Sequence, residues 1–123
     1  MTASGSFEVQ LTPQDDAEVP AGRMLIDKTY RGDMVGSGTG QMISKRTEDG
    51  RAVYFAIEDF SGSVKGHRGG FTLLHRGYMN QESQSLEVTI LEGSGSGELE
   101  DVSGTMLIIQ GESGHRYELE FEL

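Results

Sequence analysis

The acidic residue with the clearest chemical potential is Glu58, because it lies in an otherwise apolar stretch at 53–60. Alternation with a period of two residues places its neighbours on two faces of a strand. One face carries Val53, Phe55, Ile57 and Asp59, and the other carries Tyr54, Ala56, Glu58 and Phe60. Because both faces are largely apolar, we expect Glu58 to lie either in a barrel lumen or in a subunit interface. Burial there would raise its pKa, as in a general acid or base, whereas a purely structural Glu58 would pair with an arginine or a backbone donor.

Two histidines are expected to point to an apolar interior. His75 shares a strand face with Phe71 and Leu73, and His115 shares one with Tyr117, Leu119 and Phe121. His67 falls on the face of His75 if no bulge intervenes. The set His75, His115 and Glu58 leaves open an iron or zinc site, but histidines that cap a barrel end and bind backbone or water are the favoured interpretation. We therefore assign no metal and no cofactor.

The elements that position these residues are strands. Alternation is clearest at 7–11, 86–90 and 115–122, and further strands are expected at 23–30, 34–45, 51–60, 70–76 and 104–110. Helix is confined to one short candidate at 13–19. These patterns predict an all-β fold, with a single domain over 1–123 that forms a small antiparallel β-barrel of about eight strands. Closure of the barrel would remove unpaired strand edges.

Two glycine runs, GSGTG at 36–40 and GSGSG at 93–97, resemble each other. Neither continues into Gly-Lys-Ser/Thr or precedes a helical pattern, so a phosphate-binding loop is not indicated. The favoured interpretation is structural. A strand without side chains on one face lets other groups pack closely or lets a barrel bend sharply.

Composition excludes several classes of function. The 123 residues carry a net charge of −10 and no cysteine. The charge disfavours nucleic acid and anionic membranes as partners, and the missing thiols exclude disulfides and thiolate chemistry. Without a signal peptide or an apolar span in the sequence, the cytoplasm is the expected location.

Four segments together carry a family resemblance. GSGTGQM at 36–42, AVYFAIEDFSGSVKGHRGGFTLLHRG at 52–77, GSGSGELEDVSGTM at 93–106 and HRYELEF at 115–121 resemble the bacterial domain-of-unknown-function 3224 family. The resemblance implies a small antiparallel barrel related to the allene oxide cyclase and avidin-like barrels, and it implies no established activity. The family usually carries a cation where this chain has His67, and Ser or Thr where it has Gly70.

The function that these residues favour is the binding of a small, largely apolar molecule in the barrel lumen. Its expected anchors are His75, His115, Tyr117, Glu58 and Tyr54. The alternative is a cofactor-free isomerase or cyclase with Glu58 as the catalytic candidate, by analogy with allene oxide cyclase. No feature of the sequence reports turnover, so enzyme activity stays open. A homo-oligomer joined through the strand at 53–60 is compatible with either function.

Overall fold

The computed structural model describes residues 1–14, 20–112 and 114–123, and they form an antiparallel sheet that closes on itself. Eight strands run around the barrel in the order β4-β3-β2-β1-β9-β8-β6-β5, and pairing of β4 with β5 completes the circle. A ninth, two-residue strand, β7, pairs with the start of β5. The strands are β1 (Thr2–Gln14), β2 (Gly22–Gly32), β3 (Met34–Arg46), β4 (Ala52–Val64), β5 (His67–Met79), β6 (Gln84–Ile90), β7 (Ser96–Gly97), β8 (Ser103–Gly111) and β9 (Gly114–Glu122).

This architecture confirms the predicted all-β barrel of about eight strands. The described residues contain no helix, and thus none long and apolar enough to cross a membrane. The expected helix at 13–19 is wrong for Pro13 and Gln14, which pair with Met24 and Arg23 as the end of β1, and the rest of that segment lies outside the described residues. All eight expected strands are present, most of them longer than their alternating core.

The barrel interior differs between its two ends. The end formed by the β2–β3 and β4–β5 turns is tightly packed, and the loop that carries β7 covers it with Leu99 and Val102. We call this the closed end. Towards the β3–β4 and β5–β6 turns the inward side chains become accessible, and we call this the open end. Its partly exposed inward residues are Val9, Leu11, Met24, Met42, Tyr54, Leu86, Ile108 and His115.

The barrel wall has a weak seam. β6 and β8 are joined by only two residue pairs, Val88–Met106 and Thr89–Thr105. Beyond them, residues 84–87 of β6 and 107–110 of β8 are not paired with each other. The expectation that closure removes unpaired edges therefore fails along this seam, which lies in the open half of the barrel, and also along residues 8–14 of β1, which pair with β2 but not with β9.

The two glycine runs play different roles. GSGTG lies in β3, and Gly36, Gly38 and Gly40 bring its backbone close to β4, as the structural interpretation predicted. GSGSG does not form one strand. Only Ser96–Gly97 pairs as a strand, with the start of β5, and the positive φ angles of Gly93 (88°) and Gly97 (61°) turn the chain back across the closed end.

Candidate functional site

Glu58 projects into the barrel lumen from the middle of β4 and is fully buried. Its carboxylate occupies space that the bare backbone of β3 leaves free. A Cβ atom added to Gly38 would overlap Oε2 of Glu58 and would lie 3.1 Å from the ring of Tyr30. The glycine run of β3 is thus the local reason why a carboxylate fits inside this wall.

Three side chains from two other strands donate hydrogen bonds to this carboxylate. Lys28 Nζ on β2 and His75 Nε2 on β5 each lie 2.9 Å from Oε1, and the Tyr30 hydroxyl on β2 lies 2.5 Å from Oε2. Lys28 and His75 are themselves almost fully buried, with 6% and 7% of their side chains exposed. We call Lys28, Tyr30, Glu58 and His75 the carboxylate cluster.

The cluster keeps Glu58 ionised. Burial raises the pKa of Glu58, but the hydrogen bond from His75, the charge of Lys28 and the hydrogen bond from Tyr30 together lower it to about 2. The expectation of a raised pKa is therefore wrong, because it considered desolvation without the three donors. Burial and the neighbouring carboxylate raise the pKa of Tyr30 far above its usual range, so its hydroxyl keeps its proton.

His75 has one ring nitrogen that the cluster does not use. Because the Glu58 carboxylate can only accept, His75 Nε2 carries a proton. Nδ1 makes no hydrogen bond with the described residues, yet no buried side-chain nitrogen or oxygen among them lacks a partner. Nδ1 is therefore not fully buried, and it is the ring nitrogen of His75 that remains without a partner among the described residues.

His115 does not contact the carboxylate cluster, because the ring of Phe7 lies between them. The ring centroid of Phe7 lies 4.6 Å from Lys28 Nζ and 5.1 Å from that of His115, against which it stacks. The described residues contain no group of three histidine, aspartate or glutamate side chains that could hold a metal ion. The structure therefore brings His75 to Glu58 but does not assemble the ligand set of His75, His115 and Glu58.

The hydroxyl of Tyr117 is already used by the backbone. It donates to the carbonyl of Arg31 at 2.8 Å and accepts from the amide of Met34 at the same distance, which ties β9 to the β2–β3 turn. Burial has the largest effect and raises the pKa of the Tyr117 hydroxyl. The hydrogen bond from the Met34 backbone lowers this pKa by less, and the charge of Asp33 adds a smaller increase. The hydroxyl of this buried tyrosine thus has a structural task, and a contact of Tyr117 with a ligand stays a prediction.

The remaining candidates lie nearer the surface. The ring of Tyr54 lies across Gly77 at the open end, where the missing side chain makes room for it, and partial burial raises its pKa. His67 lies half-exposed at the start of β5, with Nδ1 3.9 Å from a carboxylate oxygen of Glu98. Tyr54 is thus near accessible interior space, whereas His67 is not part of the lumen.

A cleft of about 300 Å³ opens at the β6–β8 seam. Val88 and Met106, which belong to the hydrophobic core, contribute to its lining. The registers place His75 beside Val88, and Val88 beside Met106, on the same inner face. The remaining lining residues are Leu86, Glu87, Thr105, Leu107, Glu118 and Glu120. The seam cleft and the carboxylate cluster thus reach neighbouring strands, because Val88 of the cleft lies directly opposite His75 of the cluster.

Sequence reasoning missed two members of the cluster, Lys28 and Tyr30. A signal for both was present, because Met24, Ile26, Lys28 and Tyr30 occupy alternate positions along β2 and so share one face of the strand. A lysine within an apolar row indicates a buried charge that needs a partner, and Glu58 was the matching acid in another apolar row.

Comparison with known proteins agrees with this architecture. No curated protein matches the chain. A crystal structure of a protein with unknown function from the DUF3224 family of Shewanella oneidensis MR-1 superposes with a TM-score of 0.93 and 35% sequence identity, covering 100% of this chain and 96% of that one. The family model described as "Protein of unknown function (DUF3224)" matches residues 3–121. The chain therefore belongs to the domain-of-unknown-function 3224 family.

Proposed function

We propose that the barrel binds a small, largely apolar molecule in its open half, between His75 and the seam cleft. The observation that carries this proposal is the cleft itself, which opens on the outside of the seam and reaches the core side chains of Val88 and Met106. Pockets for small molecules are typically apolar with a few placed polar groups. Val88 and Met106 supply the apolar surface, and Tyr54 and Ile108 extend it towards the open end.

His75 Nδ1 is the polar anchor of this site. Its partner nitrogen is held by Glu58, which fixes the ring orientation before a ligand arrives. Such preorganisation reduces the entropy lost on binding. With a neutral ring, Nδ1 selects a hydroxyl or amine hydrogen on the ligand. We therefore expect a ligand that combines an apolar body with one hydrogen-bond donor.

The contacts of Glu58 favour binding over catalysis by this residue. Both carboxylate oxygens accept hydrogen bonds, and the pKa of about 2 makes Glu58 a weak base near neutral pH. A cyclase of this fold would need groups that stabilise developing charge on its substrate. Here the carboxylate is shielded from the lumen by its own donors, so a role in orienting His75 accounts better for its position.

The test is a fluorescence titration with N-phenyl-1-naphthylamine, a neutral apolar probe whose secondary amine is a hydrogen-bond donor. We expect saturable enhancement with the wild-type protein. His75→Leu removes the anchor and should weaken binding about tenfold, the equivalent of one hydrogen bond. His67→Leu is the matched control, because it removes an imidazole that lies outside the lumen, and its affinity should equal that of the wild type.

Two results would overturn the proposal. Absence of saturable binding up to millimolar probe would contradict a lumen that accepts apolar molecules. Equal affinities of His75→Leu and the wild type would contradict His75 as the anchor. Far-UV circular dichroism and thermal unfolding of both variants show whether the barrel is intact, so a loss of binding through misfolding is recognised.

A further inference from the structure

The outside of the barrel carries an apolar surface centred on β4. Val53, Phe55 and Ile57 point outwards, and 49% of Phe55 and 59% of Ile57 are exposed. Neighbouring strands extend this surface. We define the β4 outer face by its exposed large apolar residues, which are Leu25 on β2, Ile43 on β3, Val53, Phe55 and Ile57 on β4, and Tyr78 on β5.

The size of this face is that of an interface core. From their exposed fractions, its six side chains present about 500 Å² of surface, which is at the upper end for the largest apolar patch of a monomer. A standard interface buries about 800 Å² on each partner, including a polar rim. The flanking residues Lys45, Asp59 and Arg76 are placed to supply that rim, whereas Gln41 lies within the face, between Leu25 and Ile57.

Charges on the β4 outer face are separated along the strand direction. Lys45 is level with Val53, and Arg76 is level with Phe55. Asp59 lies two residues beyond Ile57, towards the closed end. Neither Lys45 nor Arg76 forms an ion pair within the described residues. On β3 and β4 the face thus has a positive end and a negative end, with apolar residues between them, and Glu87 of β6 lies beside Arg76 at its margin.

This pattern complements itself under a two-fold rotation. An axis that lies in the contact plane, perpendicular to the strands and between Phe55 and Ile57, sets Phe55 of one copy over Ile57 of the other. It also brings Asp59 of each copy towards Lys45 of the other, one strand away. An axis parallel to the strands would instead oppose Asp59 to its own copy, which costs free energy.

We propose that this face is the contact of a symmetric homodimer, with the two β4 strands crossing antiparallel about that axis. A second copy is the partner that fits this face best. After the two-fold rotation, the charges and the apolar residues of one copy lie opposite complementary groups of the other. The acidic side chains of β9, Glu118, Glu120 and Glu122, lie on the other side of the barrel, so the dimer keeps these like charges apart.

Sedimentation velocity between 1 and 200 μM tests the contact. We expect a concentration-dependent dimer for the wild type. Phe55→Glu places a charge at the centre of the face and should raise the dimer dissociation constant about 30-fold or more. Val35→Glu is the matched control, because Val35 on β3 is also an exposed apolar residue but lies outside the face. A wild-type monomer at 200 μM, or a dimer insensitive to Phe55→Glu, overturns the proposal.

A charge exchange tests the orientation. Lys45→Glu and Asp59→Lys should each weaken the dimer, because each creates like charges across the contact. The combined variant exchanges both signs in both copies and should restore the wild-type dissociation constant within about threefold. If each single variant weakens the dimer and the combination weakens it further, the proposed two-fold axis is wrong. All of these positions are exposed, so the variants should fold.

Discussion

Acid should weaken this barrel in part by protonating Glu58, and replacing the buried Lys28–Glu58 pair should remove that part of the acid sensitivity. The perturbation is the double variant Lys28→Met with Glu58→Gln. Exchanging Glu58 alone would leave the Lys28 ammonium buried without its carboxylate, which costs several kcal/mol at any pH. The double variant removes one positive and one negative charge and therefore keeps the net charge at pH 7.

The expected magnitude follows from the pKa of Glu58. This pKa is about 2 in the folded protein and about 4.5 in the unfolded chain, so the unfolded chain binds its proton first as pH falls. The contribution to stability is complete above pH 4.5 and is lost as pH falls towards 2. A difference of about 2.5 pKa units corresponds to about 3 kcal/mol, of which about 2 kcal/mol disappears between pH 5 and pH 3.

The assay is urea unfolding followed by far-UV circular dichroism at pH 5, 4 and 3. Every variant loses stability over this range, because many other carboxylates titrate. The free energy of unfolding of the wild type should fall by about 2 kcal/mol more than that of the double variant. The matched control exchanges an exposed ion pair, Glu8→Gln with Arg31→Met, whose atoms lie 3.3 Å apart. Its pH profile should follow the wild type, because exposed pairs contribute little.

Parallel pH profiles of the wild type and the Lys28→Met, Glu58→Gln variant would refute this reasoning. They would mean that the folded protein binds a proton at Glu58 as readily as the unfolded chain does. The three donors would then fail to outweigh burial, and the fixed orientation of His75 would lose its cause. A profile of the control that departs from the wild type by a similar amount would equally show that the effect is not specific to the buried cluster.

Two further substitutions probe the packing of the cluster. Gly38→Ala should destabilise the barrel by about 2 kcal/mol or more in urea unfolding, because the new methyl group overlaps the Glu58 carboxylate, whereas Gly22→Ala, with its nearest neighbour 3.9 Å away, should change stability by less than about 1 kcal/mol. Equal effects would contradict the close approach at β3. Tyr30→Phe removes the donor to Glu58 Oε2 and should cost about 1–3 kcal/mol, while Tyr78→Phe on the outer surface should be neutral. A neutral Tyr30→Phe would show that this hydroxyl contributes nothing to holding the carboxylate.

The strands could be predicted from the sequence because successive side chains of a strand point to opposite faces, so that apolar and polar residues alternate where one face is buried. His115, Tyr117, Leu119 and Phe121 occupy the inner face of β9 as expected. The ends of the strands were harder to predict, because they contain glycine and polar residues that do not alternate with apolar ones. β5 begins at His67, three residues before its expected start, and β7 is only two residues long.

Only part of the site could be predicted from the sequence. The inward position of Glu58 followed from its own strand, but its partners come from β2 and β5, and Lys28 is 30 residues away along the chain. Which inward residues meet across a barrel depends on the stagger of strands that are not adjacent, and no local pattern encodes that stagger. The direction of the pKa shift was wrong for the same reason, since burial is readable from one strand and donors are not.

The position of the carboxylate cluster in the barrel is not explained by its contribution to stability alone. Towards the closed end Phe60, Phe71 and Leu73 fill the interior, and an apolar residue in place of Glu58 would extend that packing. A buried ion pair is seldom more stabilising than a well-packed apolar replacement. Here the pair instead lies at the level where the interior becomes accessible, and it holds the imidazole of His75, whose Nδ1 has no partner among the described residues. The arrangement fixes the orientation of His75, which is what the proposed binding site requires and what packing alone would not supply.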